Sequence, residues 1–289
     1  MSYDLYLNRS AEVTPDEFRA FFSQLPHCKA ETTQAVYQND DTGVYFLFDL
    51  ATETEDEGPP FKVSFNLNYF RPHFFGIEAA PILSAVIDGF GFTIHDPQND
   101  GMGDGPFSEE GFLRGWNKGN ALGYRAILQS DKPPTDVYSR PRDEIGAIWR
   151  WNFEKEDTQQ TFGERIFVPR IFWVVVDGAL CSAAVWPDGI AELVPAVDLY
   201  FIGRDRLAPR RLFTRNKDSC LVMRSELEAA LGPFEPMKYP LPCRLFDQQE
   251  PSKEVRKFVG GVRSVAKKSD GLAMDQVLDR ELVEESSSK

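Results

Sequence analysis

The stretch IFWVVVDGALCSAAVW, residues 171–186, decides the fold class. Two runs rich in β-branched and aromatic residues, Ile171 to Val176 and Ala179 to Trp186, flank Asp177-Gly178. Asp-Gly suits a two-residue hairpin turn, because both of its positions tolerate positive φ. The runs therefore read as antiparallel strands joined by that turn. Ile166-Phe167-Val168 precedes them, and Pro187-Asp188-Gly189 separates them from another such run, Val197 to Ile202. The whole of 166–203 reads as an antiparallel meander.

Toward the N-terminus the same signals alternate with helical ones. Tyr3 to Leu7 reads as a first strand, and Thr14-Pro15 with Glu17 opens a helix by a capping box, carrying Phe18, Phe21, Phe22 and Leu25 to the stop at Pro26. Ala35 to Tyr37 and Val44 to Leu50 flank Asn39-Asp40-Asp41-Thr42-Gly43 as a hairpin, and Phe61 to Asn66 alternates apolar with polar, as a half-buried strand does. Helices are expected from Glu78 to Gly89, from the Ser108 cap through Leu128 with a break at Gly119, and from Arg142 to Glu154 with Ile145, Ile148, Trp149 and Phe153 inward. A short helix from Ser225 to Leu231 has Ser225 and Glu228 in capping-box spacing, and residues 252–268 read as a basic amphipathic helix.

These elements predict an α+β protein with mixed, mainly antiparallel sheets and flanking helices, in two lobes. The polar stretch 130–141, holding Pro133, Pro134 and Pro141, marks the division. The expected organisation is an acidic α+β lobe over 1–132, an antiparallel β-rich α+β lobe over 142–268 ending in the basic helix, and an acidic tail over 269–289 whose last residues, 284–289, are frayed.

Composition narrows the function classes. The 23 Phe, 9 Tyr and 5 Trp of this 289-residue chain supply a large core without cross-links. The cysteines, Cys28, Cys181, Cys220 and Cys243, lie far apart with no C-x-x-C pair, and are expected to be free thiols in a reducing compartment. No apolar run nears the roughly 20 residues of a membrane span, and no basic-then-apolar leader opens the sequence, so a soluble, bacterial-type cytoplasmic protein is expected. Residues 1–199 carry 15 Lys and Arg against 31 Asp and Glu, a net of −16, within an overall −13. Such a surface repels nucleic acid and attracts a basic protein.

Motifs are sparse. The loop 96–105 offers Asp96, Gln98, Asp100 and Asp104 around Gly101, the alternating oxygens of a calcium loop, but Phe107 stands where the bidentate glutamate belongs. Asp96, Asp100 and Asp104 are thus weak metal ligands, and a plain polar connection is the simpler reading. His95, at a strand end before them, is a candidate general base. His27, His73 and His95 have no metal-binding spacing; G-x-S-x-G, G-K-[ST] and a dinucleotide fingerprint are missing, so no cofactor is implied. Arg204 to Lys217, including Arg210 and Arg211, suits a phosphate or an acidic surface, most simply the acidic first lobe.

The leading expectation is a non-enzymatic protein-binding module that captures a basic partner, in the manner of an inhibitor or a toxin-neutralising immunity protein. Its binding residues are the acidic Glu53, Glu55, Asp56 and Glu57, together with Arg210 and Arg211. One alternative is an enzyme with a dispersed site of His95, Asp96, Asp100 and Asp104; another is a structural component of a larger assembly.

Overall fold

A computed structural model describes residues 1–51, 61–98, 100–211, 214–215, 217–266 and 268–287, with backbone alone at 210, 211, 214 and 215. In chain order the first elements are β1 (Ser2–Asn8), α1 (Pro15–Phe22), β2 (Cys28–Ala30), β3 (Gln34–Asn39), β4 (Val44–Leu50), β5 (Val63–Asn68), α2 (Phe74–Phe90), β6 (Thr93–His95), β7 (Asp104–Gly105), α3 (Glu109–Leu128) and β8 (Tyr138–Arg140). There follow α4 (Arg142–Phe153), α5 (Lys155–Phe162), β9 (Phe172–Val176), β10 (Ala179–Val185), β11 (Glu192–Pro195), β12 (Leu199–Arg204), β13 (Arg210–Arg211), β14 (Thr214–Arg215) and β15 (Asp218–Met223). The chain ends with α6 (Arg224–Leu231), β16 (Cys243–Phe246), α7 (Lys253–Gly261), β17 (Asp270–Leu272), β18 (Val277–Asp279) and α8 (Arg280–Ser287). The fold is mixed α+β with mostly antiparallel sheets. It resolves into two compact units: unit 1, Met1–Arg142 with Asp275–Lys289, and unit 2, Asp143–Met274.

Unit 1 is built on a seven-stranded antiparallel sheet in the order β2-β3-β4-β5-β1-β6-β7. One face is apolar, because alternate residues of each strand point to it: Tyr3, Leu5 and Leu7 from β1, Phe46 and Phe48 from β4, Val63, Phe65 and Leu67 from β5. Helices α1, α2 and α3 each contact this face. Phe22 of α1 packs on Phe48 at 4.8 Å, and Phe112 of α3 packs on Tyr3 and Phe65. Glu78 of α2 accepts hydrogen bonds from Tyr37, Asn39 and Thr42.

α3 runs unbroken through Gly119. Its glycines 111, 115, 119 and 123 recur every four residues and form a stripe of close approach. A Cβ at Gly115 would lie 2.9 Å from the Gly101 backbone, and one at Gly119 would lie 2.1 Å from the Tyr69 hydroxyl. The stripe seats the 96–104 loop and the β5–α2 connection against the helix.

Within the acidic tail, β18 and α8 form over 277–287, so that residues 284–287, expected to fray, are helical. β18 pairs in parallel with β8, and α8 packs on α3 through Arg125–Glu285 at 3.0 Å and Gln129 donating to the Ser286 carbonyl. The buried Asp279 accepts from the His73 amide at 2.7 Å and bonds its imidazole Nδ1 at 2.5 Å. This carboxylate caps α2 from far along the chain. That explains why α2 begins at Phe74, ahead of the expected Glu78: His73 has no side-chain cap of its own.

Unit 2 contains a five-stranded sheet, β15-β12-β10-β9-β17, and a separate pair, β11-β16. β9 and β10 form the expected hairpin, with Asp177 at φ 50° and Gly178 at φ 82°. The meander ends there. β10 and β12 are parallel, because the chain leaves the sheet to form β11 before returning. At the second turn Asp188, also at positive φ, accepts from the amides of Asp205, Arg206 and Leu207, pinning the turn to the chain beyond β12 instead of to a hairpin partner.

α4 buries Ile145, Ile148, Trp149 and Trp151 and leaves Phe153 45% exposed, the reverse of the expectation for Phe153. Trp151 is drawn inward by a hydrogen bond to the Pro169 carbonyl at 2.8 Å. The cap of α6 is Met223, whose amide is taken by Glu226, two residues before the expected Ser225–Glu228 pair. α7 stops at Gly261, where the glycine pair ends the helix, and Val265 beyond it donates to the Leu221 carbonyl of β15.

Candidate protein-binding face

The second face of the unit 1 sheet is lined by residues of the opposite parity. Strand register aligns them into two rows. Gln34, Asp49, Ser64, Tyr6, His95 and Asp104 succeed one another across β3, β4, β5, β1, β6 and β7. Lys29, Val36, Leu47, Asn66 and Asp4 do so from β2 to β1. Directly paired residues share a face of the sheet, so each row is a line of neighbouring side chains. Tyr6, Val36, Leu47, Asp4 and Asp49 are half-buried, and His95 and Asp104 are exposed.

Local hydrogen bonds order this face. Asn66 and Ser2 donate to the Asp4 carboxylate, and Gln34 donates to Asp49 at 2.8 Å. Tyr6 packs on Phe61 at 4.6 Å and stacks with His95 at 6.0 Å. His95 Nδ1 meets Asp104 Oδ1 at 2.5 Å, with the side chains 58% and 81% exposed. The result is a preordered surface of tyrosine, aliphatic and amide groups interspersed with the carboxylates of Asp4, Asp49 and Asp104, with Lys29 at its β2 edge.

The four residues of the 95–104 cluster divide. His95 and Asp104 come together on the outer face. Asp96 turns inward and is buried, accepting from the Tyr3 hydroxyl and from the amides of Gln98 and Met102. Burial, then the Asp96 carboxylate, pushes the Tyr3 hydroxyl well above its ordinary range. Asp100 pairs with Lys118 at 2.7 Å, and Arg114 takes the carbonyls of Asp100 and Gly101. Each of the three aspartates has a different partner and direction, and among the described residues no three His, Cys, Asp or Glu gather as metal ligands. The loop is a braced connection, and Asp96 is its organiser.

Glu53, Glu55, Asp56 and Glu57 lie outside the described residues, as do the side chains of Arg210 and Arg211. Arg210 and Arg211 form β13, paired with β14. Other members of the basic stretch are engaged within unit 2. Arg204 is buried, holds Asp218 with two bonds of 2.8 Å, and donates to the Val259 and Val262 carbonyls at the end of α7. Lys217 pairs with Asp205 at 2.6 Å, and Arg206 approaches Asp188 at 3.9 Å.

Dividing the chain by its units sharpens the charge pattern. Unit 1 holds 13 Lys and Arg against 26 Asp and Glu, a net of −13, while unit 2 holds 19 against 19. The whole excess of negative charge belongs to the unit that carries the face. All four cysteines are free thiols, and burial pushes those of Cys28 and Cys243 up to about 11. Among the described residues no helix is long and apolar enough to cross a membrane. Compared with known protein families, curated proteins and solved structures, the chain matches none.

Proposed function

We propose that this protein binds a basic protein partner through the outer face of the unit 1 sheet and acts by occupying it, without turnover, as an inhibitor or a toxin-neutralising immunity protein does. The observation that carries this reading is the concentration of the −13 charge in the unit whose sheet leaves Tyr6, Val36 and Leu47 half-exposed between Asp4, Asp49 and Asp104. Carboxylates around such a surface speed capture of a cationic partner, and the central tyrosine and aliphatic groups slow its release.

The test is capture from host lysate followed by association kinetics on the recovered partner. Asp4→Lys, Asp49→Lys and Asp104→Lys together should slow association about tenfold or more, with a smaller change in dissociation. Reversal of Glu53, Glu55, Asp56 and Glu57 is a separate arm. Association should also slow as salt rises and the screening length falls below about 10 Å. A partner indifferent to salt and to both sets of reversals refutes the reading.

A second reading rests on the His95–Asp104 pair, in which Asp104 fixes one imidazole nitrogen and leaves Nε2 to act as a base. Against it stands the exposure of both side chains, because water screens the charges such a site would need to focus. His95→Ala tests this second reading: it abolishes a turnover reaction, whereas the binding reading predicts a change in partner association alone.

A further inference from the structure

The five-stranded sheet of unit 2 is apolar on both faces. Trp173, Tyr200, Ile202 and Val222 are buried on one. On the other, strand register sets Leu221, Phe201 and Val185 in one row and Leu199, Ala183 and Phe172 in the next. A sheet with two apolar faces calls for cover on both. Among the described residues, the cluster on the second face holds strand residues and Ala266 alone, with Phe172 and Phe201 partly buried and Val185 39% exposed.

Ala266 belongs to a segment fastened to the sheet at both ends. At one end Val265 donates to the Leu221 carbonyl at 2.8 Å, and the Ser264 hydroxyl accepts from the Leu221 amide at 3.0 Å. At the other, β17 pairs with β9 at the opposite edge of the sheet from β15. Phe201, Leu221 and Ser219 of the sheet, with Lys268, Ser269 and Asp270 of the segment, line a cavity of about 560 Å³. That is the size of a small-molecule site.

The polar groups of this cavity are uncommitted. Among the described residues, the Lys268 ammonium, the Asp270 carboxylate and the Ser219 and Ser269 hydroxyls have no hydrogen-bond or ion-pair partner. The Ser264 hydroxyl differs, since it also donates to the Ala266 carbonyl at 2.6 Å. Lys268 and Asp270 are two residues apart, so their Cα atoms are separated by no more than about 7 Å and one small ligand can meet both. A cation, an anion and two hydroxyls beside the Phe201 ring and the Leu221 side chain complement a zwitterion with an apolar side chain.

We propose that this cavity binds a free α-amino acid with a large apolar side chain. The ligand carboxylate meets Lys268, its ammonium meets Asp270, and its side chain rests on Phe201 and Leu221. The site lies within unit 2 and is independent of the sheet face of unit 1. Ser219, Lys268 and Asp270 are exposed, so water screens each ion pair and the affinity is modest.

The experiment is calorimetric titration of the full chain at low salt with leucine, phenylalanine, alanine, leucinamide and N-acetyl-leucine. Leucine or phenylalanine should bind one-to-one with a Kd of about 1 mM or lower, and alanine about tenfold more weakly. Leucinamide, without the carboxylate, and N-acetyl-leucine, without the ammonium, should each bind about threefold or more weaker than leucine. Each variant should erase one of these preferences: Lys268→Gln that for leucine over leucinamide, and Asp270→Asn that for leucine over N-acetyl-leucine. The ligand comparisons on the wild-type chain hold even if a variant fails to fold. No saturation by leucine or phenylalanine up to about 10 mM overturns the proposal. So does equal binding of leucine and its two singly charged derivatives, or persistence of either preference in its matched variant.

Discussion

Replacing Asp279 by alanine should release the C-terminal segment from unit 1. Asp279 is fully buried and satisfies two groups of His73, the amide at 2.7 Å and Nδ1 at 2.5 Å. Alanine leaves both inside the protein without an acceptor. At roughly 1–3 kcal/mol for each orphaned group, the loss is about 3 kcal/mol, within the range for breaking a buried pair from one side. Hydrogen exchange followed by mass spectrometry reads this locally. At 1.4 kcal/mol per tenfold, exchange in 277–287 should accelerate by about two orders of magnitude, with a smaller rise at the start of α2. Asp136→Ala removes the same charge from an exposed position and should leave both segments unchanged. Acceleration below about threefold in Asp279→Ala would falsify the assignment of this carboxylate as the clamp.

Three further outcomes are expected. Glu192 is raised by burial, so the folded state holds its proton above the pH at which the unfolded chain releases it. Its stabilising contribution is complete below about pH 4.5 and is lost as pH rises toward the folded value, at up to about 1.4 kcal/mol per unit; Glu192→Gln should flatten that slope in urea titrations. Gly101→Ala should cost about 2 kcal/mol or more, because its Cβ would fall 2.0 Å from Asp96 Oδ2 and displace the loop organiser; an unchanged urea midpoint would sink that role. Thiol counting on denatured, unreduced protein should return all four cysteines, and two or fewer would contradict the free assignment.

Local chemistry was legible in the sequence and long-range pairing was not. Asp177-Gly178 gave a correct hairpin because both residues must take positive φ, a property of the dipeptide itself. Thr14 caps α1 as read, accepting from Glu17 at 3.2 Å, yet the Glu17 carboxylate goes to Arg9 across the chain. Asp188-Gly189 resembles the first turn and does a different job, decided by amides 17 to 19 residues later. The outer face of the unit 1 sheet is the extreme case: Tyr6, His95 and Asp104 become neighbours only when β1, β6 and β7 pair. The sequence also carries the signal for the close packing of α3. Glycines 111, 115, 119 and 123 at a four-residue interval suggest close approach along one helix face, not a break at Gly119.

The return of residues 275–287 to unit 1 has a consequence in time. During synthesis β8 emerges early, but its partner β18 follows only after all of unit 2. At about 5–20 residues per second that interval is on the order of ten seconds, long compared with the folding of a small domain. The nascent unit 1 therefore waits with α3 lacking α8 and α2 lacking its Asp279 cap, while unit 2 has the means to fold first. A message cut short within the codons for 275–287 yields a chain whose middle is complete and whose beginning is not, and quality control would meet that chain through its first residues.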